Sequence, residues 1–227
     1  MIVSDAHRFV FVHVPKCAGT TVRHALTPFH DQAEAFDRIA DLPGEGETDL
    51  AHLTLRRLER MFPEMLDKVD RYAAFAVLRD PLARFPSSMG ERLALQDGRD
   101  IGHMTLSEIR REARGVLERL LDDGEIDAPD LTHFQRQCDF VRLRGRRLVD
   151  HLVPLERLDL LEDAFAKILP RAVSFAQPHN ARLGPSRRAR GPGPADRISP
   201  TQAHVWRRVA PTGIRRRAAN TLFPRGY

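Results

Sequence analysis

The chain has 227 residues, of which 42% are hydrophobic and 30% are charged, and its formal net charge is +5. This composition is typical of a soluble globular protein, so we predict a single domain over residues 1–227. The sequence lacks a run of about 18 apolar residues and the pattern of a signal peptide, so we expect a cytoplasmic protein without a transmembrane segment. Two cysteines, Cys17 and Cys138, are too few for a disulfide framework and lack zinc or redox spacing.

The positive charge is concentrated at the carboxyl end. Residues 171–227 contain twelve arginines, no lysine and one acid, Asp196, which gives +11, whereas residues 1–170 carry −6. The segment includes a basic Pro-, Gly- and Arg-rich loop at about 182–199, with Arg187, Arg188 and Arg190. It could contact nucleic acid, an anionic substrate or the phosphates of a cofactor, or it could be a solvated surface.

The first elements in the chain are a strand, a loop and a helix. Residues 8–14 form a β-branched and aromatic run that Pro15 closes, which is typical of a buried strand. After a loop of small residues, a helix is predicted to begin at Thr20 or Thr21 and to end near Pro28.

A loop, a helix, a second strand and another helix are predicted next. Residues 41–47 have the composition of a loop, and apolar residues at helical spacing then predict a helix up to Pro63, with His52 just before it. A second buried strand is predicted over residues 72–78, and a helix over 82–95 follows.

The second half of the chain carries weaker signals. Pro86 is predicted to lie within about the first turn of its helix, because proline removes a backbone donor. Thr105 and Glu108 have the spacing of a capping box, which predicts a helix from there to about Leu121. Two strands and a helix are predicted at residues 140–143, 147–153 and 159–169.

Strands that alternate with helices predict an α/β fold with a central, mainly parallel sheet flanked by helices. Ligands bind beyond the carboxyl ends of the strands in such sheets. The breaks after Val14 and Leu78 both fall at such ends, so they are the candidate sites.

The first break contains a small-residue loop with a lysine. Its members are Pro15, Lys16, Cys17, Ala18, Gly19, Thr20 and Thr21, and we name it the Lys16 loop. Backbone N–H groups and the positive end of a helix can bind a phosphate here, while Lys16 adds charge and the threonine hydroxyls add donors. It differs from a Walker A loop, in which the lysine follows the glycine. An ordinary strand-to-helix turn is the alternative.

The second break begins with Arg79, and Ser87 follows eight residues later on the predicted helix. Both side chains can bind one phosphate group, although an arginine beside Asp80 can equally form a structural ion pair. Two anion-binding breaks at adjacent strand ends predict a ligand with two phosphate-like groups.

The two motifs together resemble those of the sulfotransferases that use PAPS, 3′-phosphoadenosine 5′-phosphosulfate. The Lys16 loop resembles their 5′-phosphosulfate loop, and the Arg79 to Ser87 segment is similar to their 3′-phosphate motif. The resemblance is strongest to the carbohydrate (Golgi-type) branch and its small bacterial relatives. Residues 132–137, 153–158 and 226–227 show weaker similarity to the family. Met89 and Pro86 depart from the family pattern.

This resemblance implies a P-loop-like α/β domain that transfers a sulfuryl group from PAPS to a hydroxyl of a carbohydrate or related small molecule. PAP, the 3′,5′-bisphosphate, is the product, no metal takes part, and no nucleic acid partner is expected. Lys16 would stabilise the charge that develops on the departing nucleotide. The Lys16 loop would bind the 5′ end, and Arg79 and Ser87 would bind the 3′-phosphate.

His52 is predicted to be the general base, because its segment resembles the histidine segment that the carbohydrate branch has between its nucleotide motifs. His13, His103 and His133 are alternatives, as are a glutamate or no dedicated base. Cys17 is interpreted as part of the loop and not as a nucleophile.

Two other classes of function stay open. A kinase or other nucleoside-triphosphate enzyme would use a similar fold, but the chain lacks the GK[ST] motif and an obvious strand-end aspartate for magnesium. A non-catalytic nucleotide- or RNA-binding module would use the basic segment, but an RNP-type aromatic motif is absent and Trp206 is the only tryptophan.

Overall fold

The computed structural model describes residues 1–175, with the exception of 33, 34, 37, 97 and 122–127. The predicted basic loop at about 182–199, with Arg187, Arg188 and Arg190, lies outside the described residues, and so do residues 226–227. The described residues form two compact units, one made of 1–79 and 136–175 and the other of 80–135. A single domain over the whole chain stays a prediction.

Eight strands and six helices are assigned among the described residues. The strands are β1 (Ile2–Ser4), β2 (Phe9–Val12), β3 (Ile39–Leu42), β4 (Gly46–Asp49), β5 (Ala73–Leu78), β6 (Arg142–Leu143), β7 (Arg146–Arg147) and β8 (His151–Pro154). The helices are α1 (Gly19–Leu26), α2 (Leu55–Met61), α3 (Pro63–Arg71), α4 (Pro81–Gln96), α5 (Leu106–Leu121) and α6 (Leu158–Phe165). None of the helices in this described part combines the length and apolar character needed to cross a membrane.

The first unit is built on a four-stranded sheet with the order β1-β2-β5-β8. β1 runs antiparallel to β2, whereas β2 with β5 and β5 with β8 are parallel pairs. All four residues of β2 and the four central residues of β5 are buried, which explains why continuous apolar runs encode these strands. The predicted α/β fold with a mainly parallel central sheet flanked by helices is confirmed.

Phe165 of α6 packs on this sheet. Its ring centroid lies 5.0 Å from that of Phe9 on β2 and 4.6 Å from that of Phe75 on β5. All three rings are buried, and α3 contacts the same two strands. Burial of aromatic side chains from adjacent strands therefore stabilises the parallel pair that carries the two candidate breaks.

Two expectations about local structure are wrong. Residues 41–47, predicted as a loop, form the centre of an antiparallel hairpin of β3 and β4, because Gly44 supplies a positive φ of 78° for the turn. The predicted strand over 147–153 is instead β7, paired with β6 around Gly145, followed by the separate β8. The sequence also gave no signal for β1, whose three residues are too few to show a periodicity.

The second unit consists of α4, α5 and short 3₁₀ turns around their own core. The buried apolar residues of this core are Met89, Leu93, Ala113, Val116, Leu131 and Phe134. The predicted capping box is confirmed, because Thr105 N donates to Glu108 Oε2 at 2.8 Å and Glu108 N to Thr105 Oγ1 at 3.3 Å. Pro86 lies inside α4, beyond the predicted first turn, where it has no N–H to donate to the carbonyl oxygen of Leu82.

His30 ties the amino-terminal strand to the segment after α1. Its Nδ1 lies 3.1 Å from both the backbone nitrogen and the carbonyl oxygen of Val3 and 3.3 Å from the backbone nitrogen of Gln32. Burial lowers the pKa of His30 below its ordinary value, so the folded state favours the neutral ring.

We expect the free energy of unfolding to fall as the pH is lowered through 6.5, the ordinary pKa of histidine, because the unfolded chain then binds a proton that folded His30 resists. The contribution is fully present above that pH. His30→Asn places a hydrogen-bonding amide at this position that does not titrate. The variant should therefore lose less stability than the wild-type protein between about pH 7.5 and about pH 5.5. Urea unfolding at both pH values measures this, and equal losses in the two proteins would contradict it.

Candidate active site

The Lys16 loop joins β2 to α1 through an unusual backbone. Lys16 and Ala18 have positive φ values of 62° and 57°, a region that residues other than glycine seldom adopt. Ala18 is the N-cap of α1, and its methyl side chain cannot cap the first N–H groups of the helix. Left-handed residues beside right-handed ones turn successive N–H groups toward one side, which favours anion binding. Lys16 is half-buried and Thr20 is exposed.

Gly19 is the first residue of α1, slightly earlier than the predicted helix start at Thr20 or Thr21. A Cβ atom at this position would lie 1.6 Å from Nε2 of His13 and 1.8 Å from its Cδ2. The glycine is therefore required by the contact with the buried ring of His13, and not by a left-handed turn. Pro15, Cys17 and Thr21 are buried as well.

Arg79 lies beside the Lys16 loop. It directly follows β5, whose residues run parallel to β2 in the register Phe9↔Ala73 to Val12↔Ala76. Arg79 Nη1 donates to the carbonyl oxygen of Lys16 at 3.4 Å. The two predicted breaks thus lie at neighbouring carboxyl ends of one parallel pair, and the structure brings Lys16 and Arg79 together.

Gln137 is a residue of this region to which the sequence assigned no role. It is 2% exposed and begins a 3₁₀ turn, Gln137–Phe140. Its carboxamide contacts both the backbone of Arg79 and the thiol of Cys17. Only a weak resemblance over residues 132–137 pointed to this segment, because its partners are far away in the sequence.

His52 lies next to the strand end that leads into the Lys16 loop. It ends a 3₁₀ turn, Leu50–His52, and its Nδ1 is 3.2 Å from the carbonyl oxygen of His13. A carbonyl can only accept, so this contact is a hydrogen bond in the tautomer that carries the hydrogen on Nδ1, and Nε2 is then the acceptor nitrogen of a neutral ring. The ring centroids of His13 and His52 are 4.2 Å apart.

Asp49 provides a carboxylate beside His52, which the sequence reasoning missed. Its Oδ2 lies 3.9 Å from Nε2 of His52, and the two residues are three positions apart. Its Oδ1 accepts the N–H of Ala51 at 2.9 Å, which orients the carboxylate. The Asp-x-x-His spacing was the available signal, but the loop prediction for the preceding residues obscured it.

The remaining predicted residues belong to the second unit. Ser87 lies in α4 and is 4% exposed, and its pairing with Arg79 on one phosphate stays a prediction. His103 is exposed near Asp100, and the backbone carbonyl of His133 accepts hydrogen bonds from Arg84 and Ser88.

The two cysteines have structural surroundings. Cys17 Sγ is buried and lies 3.3 Å from Gln137 Oε1 and 3.5 Å from the carbonyl oxygen of Pro15. Burial raises the pKa of Cys138 to about 11, so that side chain stays a thiol at neutral pH. These contacts agree with the interpretation of Cys17 as part of the loop.

A match to a protein-family model identifies the family of this chain. A model described as the sulfotransferase family matches residues 1–128, which is more than half of the chain. The chain belongs to the sulfotransferase family. This confirms the resemblance drawn from the two motifs, and the Lys16 loop, His52, Arg79 and Ser87 all lie within the matched range. No curated protein matches the chain, and no solved structure does.

We expect Gly19→Ala to lower the free energy of unfolding by about 1–3 kcal/mol, because the new methyl group would displace the buried ring of His13. The matched control is Gly115→Ala within α5, where a Cβ atom meets none of the described residues within 4 Å. That change should raise stability by about 0.5–1 kcal/mol. Urea unfolding of both variants measures the contrast, and similar effects would show that His13 does not restrict position 19.

Proposed function

We propose that the chain is a PAPS-dependent sulfotransferase that transfers a sulfuryl group to a hydroxyl of a carbohydrate or related small molecule. One observation carries the proposal: the Lys16 loop and Arg79 adjoin at the carboxyl ends of β2 and β5 in a chain of this family. The carbohydrate type of the matching family model supports the acceptor class.

The Lys16 loop is proposed to bind the 5′ end of the donor substrate. As the acceptor oxygen bonds to sulfur, the bond from sulfur to the 5′-phosphate oxygen breaks, and PAP leaves with the electron pair. The N–H groups between Lys16 and Gly19 would hold the anion at the start of α1. The Lys16 ammonium would stabilise the charge that grows on the departing oxygen.

Arg79 and Ser87 are proposed to bind the 3′-phosphate of the donor. Arg79 supports this assignment because its guanidinium lies at a strand end, where it is only half-buried. A guanidinium can form two parallel hydrogen bonds with a phosphate. A donor with anionic groups at both ends would contact both the Lys16 loop and Arg79. A nucleotide phosphorylated at one end would contact only one of them.

His52 is proposed to accept the proton of the acceptor hydroxyl at Nε2. The hydrogen bond from Nδ1 to the His13 carbonyl oxygen supports this, because it fixes the tautomer that a general base requires. Once His52 is protonated, the Asp49 carboxylate at 3.9 Å would stabilise the imidazolium. Asp49 would thus be a positioning and charge-balancing residue that does not itself take the proton.

We expect Lys16→Ala to lower the rate of PAP release from PAPS by about 10²- to 10³-fold, because the departing oxygen loses its cation. Incubation with PAPS and a panel of saccharide acceptors, with PAP measured by chromatography, gives the rates. Lys167→Ala, which removes an exposed lysine beyond α6, is the control and should retain the wild-type rate. Normal turnover by Lys16→Ala would overturn the mechanism, and tight ATP–Mg²⁺ binding without PAP binding would favour a kinase instead.

We expect His52→Asn to lower kcat by about 10²- to 10⁴-fold while PAP affinity changes less than about twofold, because the base is lost but the donor site is kept. Asp49→Asn should lower kcat by about three- to tenfold, since it retains the acceptor for Ala51 but loses the charge. The matched control is His103→Asn, because His103 also follows an aspartate by three residues but is exposed. Equal losses for His52→Asn and His103→Asn would exclude His52 as the base.

A further inference from the structure

The carboxamide of Gln137 makes three hydrogen bonds, to two segments that lie far apart in the chain. Nε2 donates to the carbonyl oxygen of Arg79 at 2.8 Å, and Oε1 accepts the N–H of Arg79 at 3.0 Å. Oε1 also lies 3.3 Å from Sγ of Cys17, whose thiol can only donate to it. Oε1 is the nearer of two acceptors of this thiol, the other being the carbonyl oxygen of Pro15 at 3.5 Å from Sγ.

The two bonds to Arg79 extend the sheet by one residue. β5 pairs with β8 as far as Leu78, where the strand partner ends. At the next residue the side-chain amide supplies both the donor and the acceptor that a neighbouring strand would supply. The backbone of Arg79 is thus fixed although it lies beyond the last strand pair.

Gln137, Arg79 and the Lys16 loop form a closed ring of contacts. The Arg79 guanidinium donates to the carbonyl oxygen of Lys16, and the next residue, Cys17, returns to Gln137 through its thiol. This ring includes Lys16, which has a positive φ, and Cys17, which directly precedes Ala18, the second residue of the loop with a positive φ. Such backbone conformations persist only when surrounding contacts hold them.

We propose that Gln137 is a positioning residue that fixes the Lys16 loop and Arg79 relative to each other before the donor binds. This inference rests on the proposed function, because it takes the 5′ end of the donor to bind the loop and the 3′-phosphate to bind Arg79. A nucleotide with both phosphates needs both groups at a set separation, whereas one with a single phosphate does not. Gln137 therefore acts on the preference for the doubly phosphorylated nucleotide.

The test compares the affinities of PAP and of adenosine 5′-phosphate (AMP) by calorimetry on the full chain. The wild-type protein should bind PAP more tightly than AMP. Gln137→Met, which has a similar volume without the amide, should reduce that preference by about tenfold or more, mainly through weaker PAP binding. A merely structural role would weaken both nucleotides equally and leave the ratio unchanged.

The matched control is Gln135→Met, which removes another buried glutamine two positions earlier, also 2% exposed. It should leave the PAP-to-AMP ratio unchanged. An unchanged PAP-to-AMP ratio in Gln137→Met overturns the proposed role of Gln137 but not the proposed function. A wild-type protein without a preference for PAP overturns the proposed function, so the two failures are distinguishable.

A second pair of variants decides the question if Gln137→Met does not fold. Cys17→Ala removes the link from Gln137 to the loop without leaving a backbone group unpaired at Arg79, and it should reduce the PAP-to-AMP ratio by about two- to fivefold. Cys17→Ser keeps a hydroxyl donor to Oε1 and should restore most of the ratio. Equal ratios in Cys17→Ala, Cys17→Ser and wild type would overturn the proposal.

Discussion

The parallel pairing of β2 with β5 is the constraint on which the candidate site depends. Parallel strands end at the same edge of a sheet, so the register that pairs Val12 with Ala76 also places the residues after Val12 and after Leu78 together. The pairing is held by buried aromatic side chains, including Phe9 and Phe75, both in contact with Phe165. The positions of Lys16 and Arg79 follow from this packing, which lies away from the charged groups themselves.

The strand edge supplies position, and the residues around it supply a particular chemistry. Three contacts converge on the turn after β2: the His13 ring against Gly19, the His52 ring against the His13 carbonyl, and the Arg79 guanidinium on the Lys16 carbonyl. Each joins a side chain to backbone, so each restricts the loop, and the rings and guanidinium that do so include the groups of His52 and Arg79 proposed to contact the substrates. A preorganised loop of this kind loses little entropy when it binds an anion.

Much of the fold could be predicted because local patterns encode it. The buried strands β2 and β5, the capping box at Thr105, and the anion-binding composition of the Lys16 loop are all visible within a few residues of sequence. The β3–β4 hairpin was missed because seven of its eight strand residues are exposed or half-buried, so no alternation of buried apolar residues marks them.

The contacts of the site were harder to foresee because they join distant positions. Gln137 is 58 residues from Arg79 and 120 from Cys17 in the chain, and no spacing rule connects them. Lys16 and Ala18 adopt left-handed conformations that glycine usually occupies, so the residue types at these positions do not indicate them. Composition identified the loop, but tertiary contacts determine its shape.

The position of β8 has a consequence for where the functional unit ends. The family match stops at residue 128, and the Lys16 loop, His52, Arg79 and Ser87 all precede that point, yet β8 and Gln137 come later. A fragment that ended at residue 128 would contain both motifs, but β5 would become an unprotected edge strand, open to pairing with other chains. Such a fragment would tend to aggregate, so the smallest piece suitable for biochemical work must extend at least through β8.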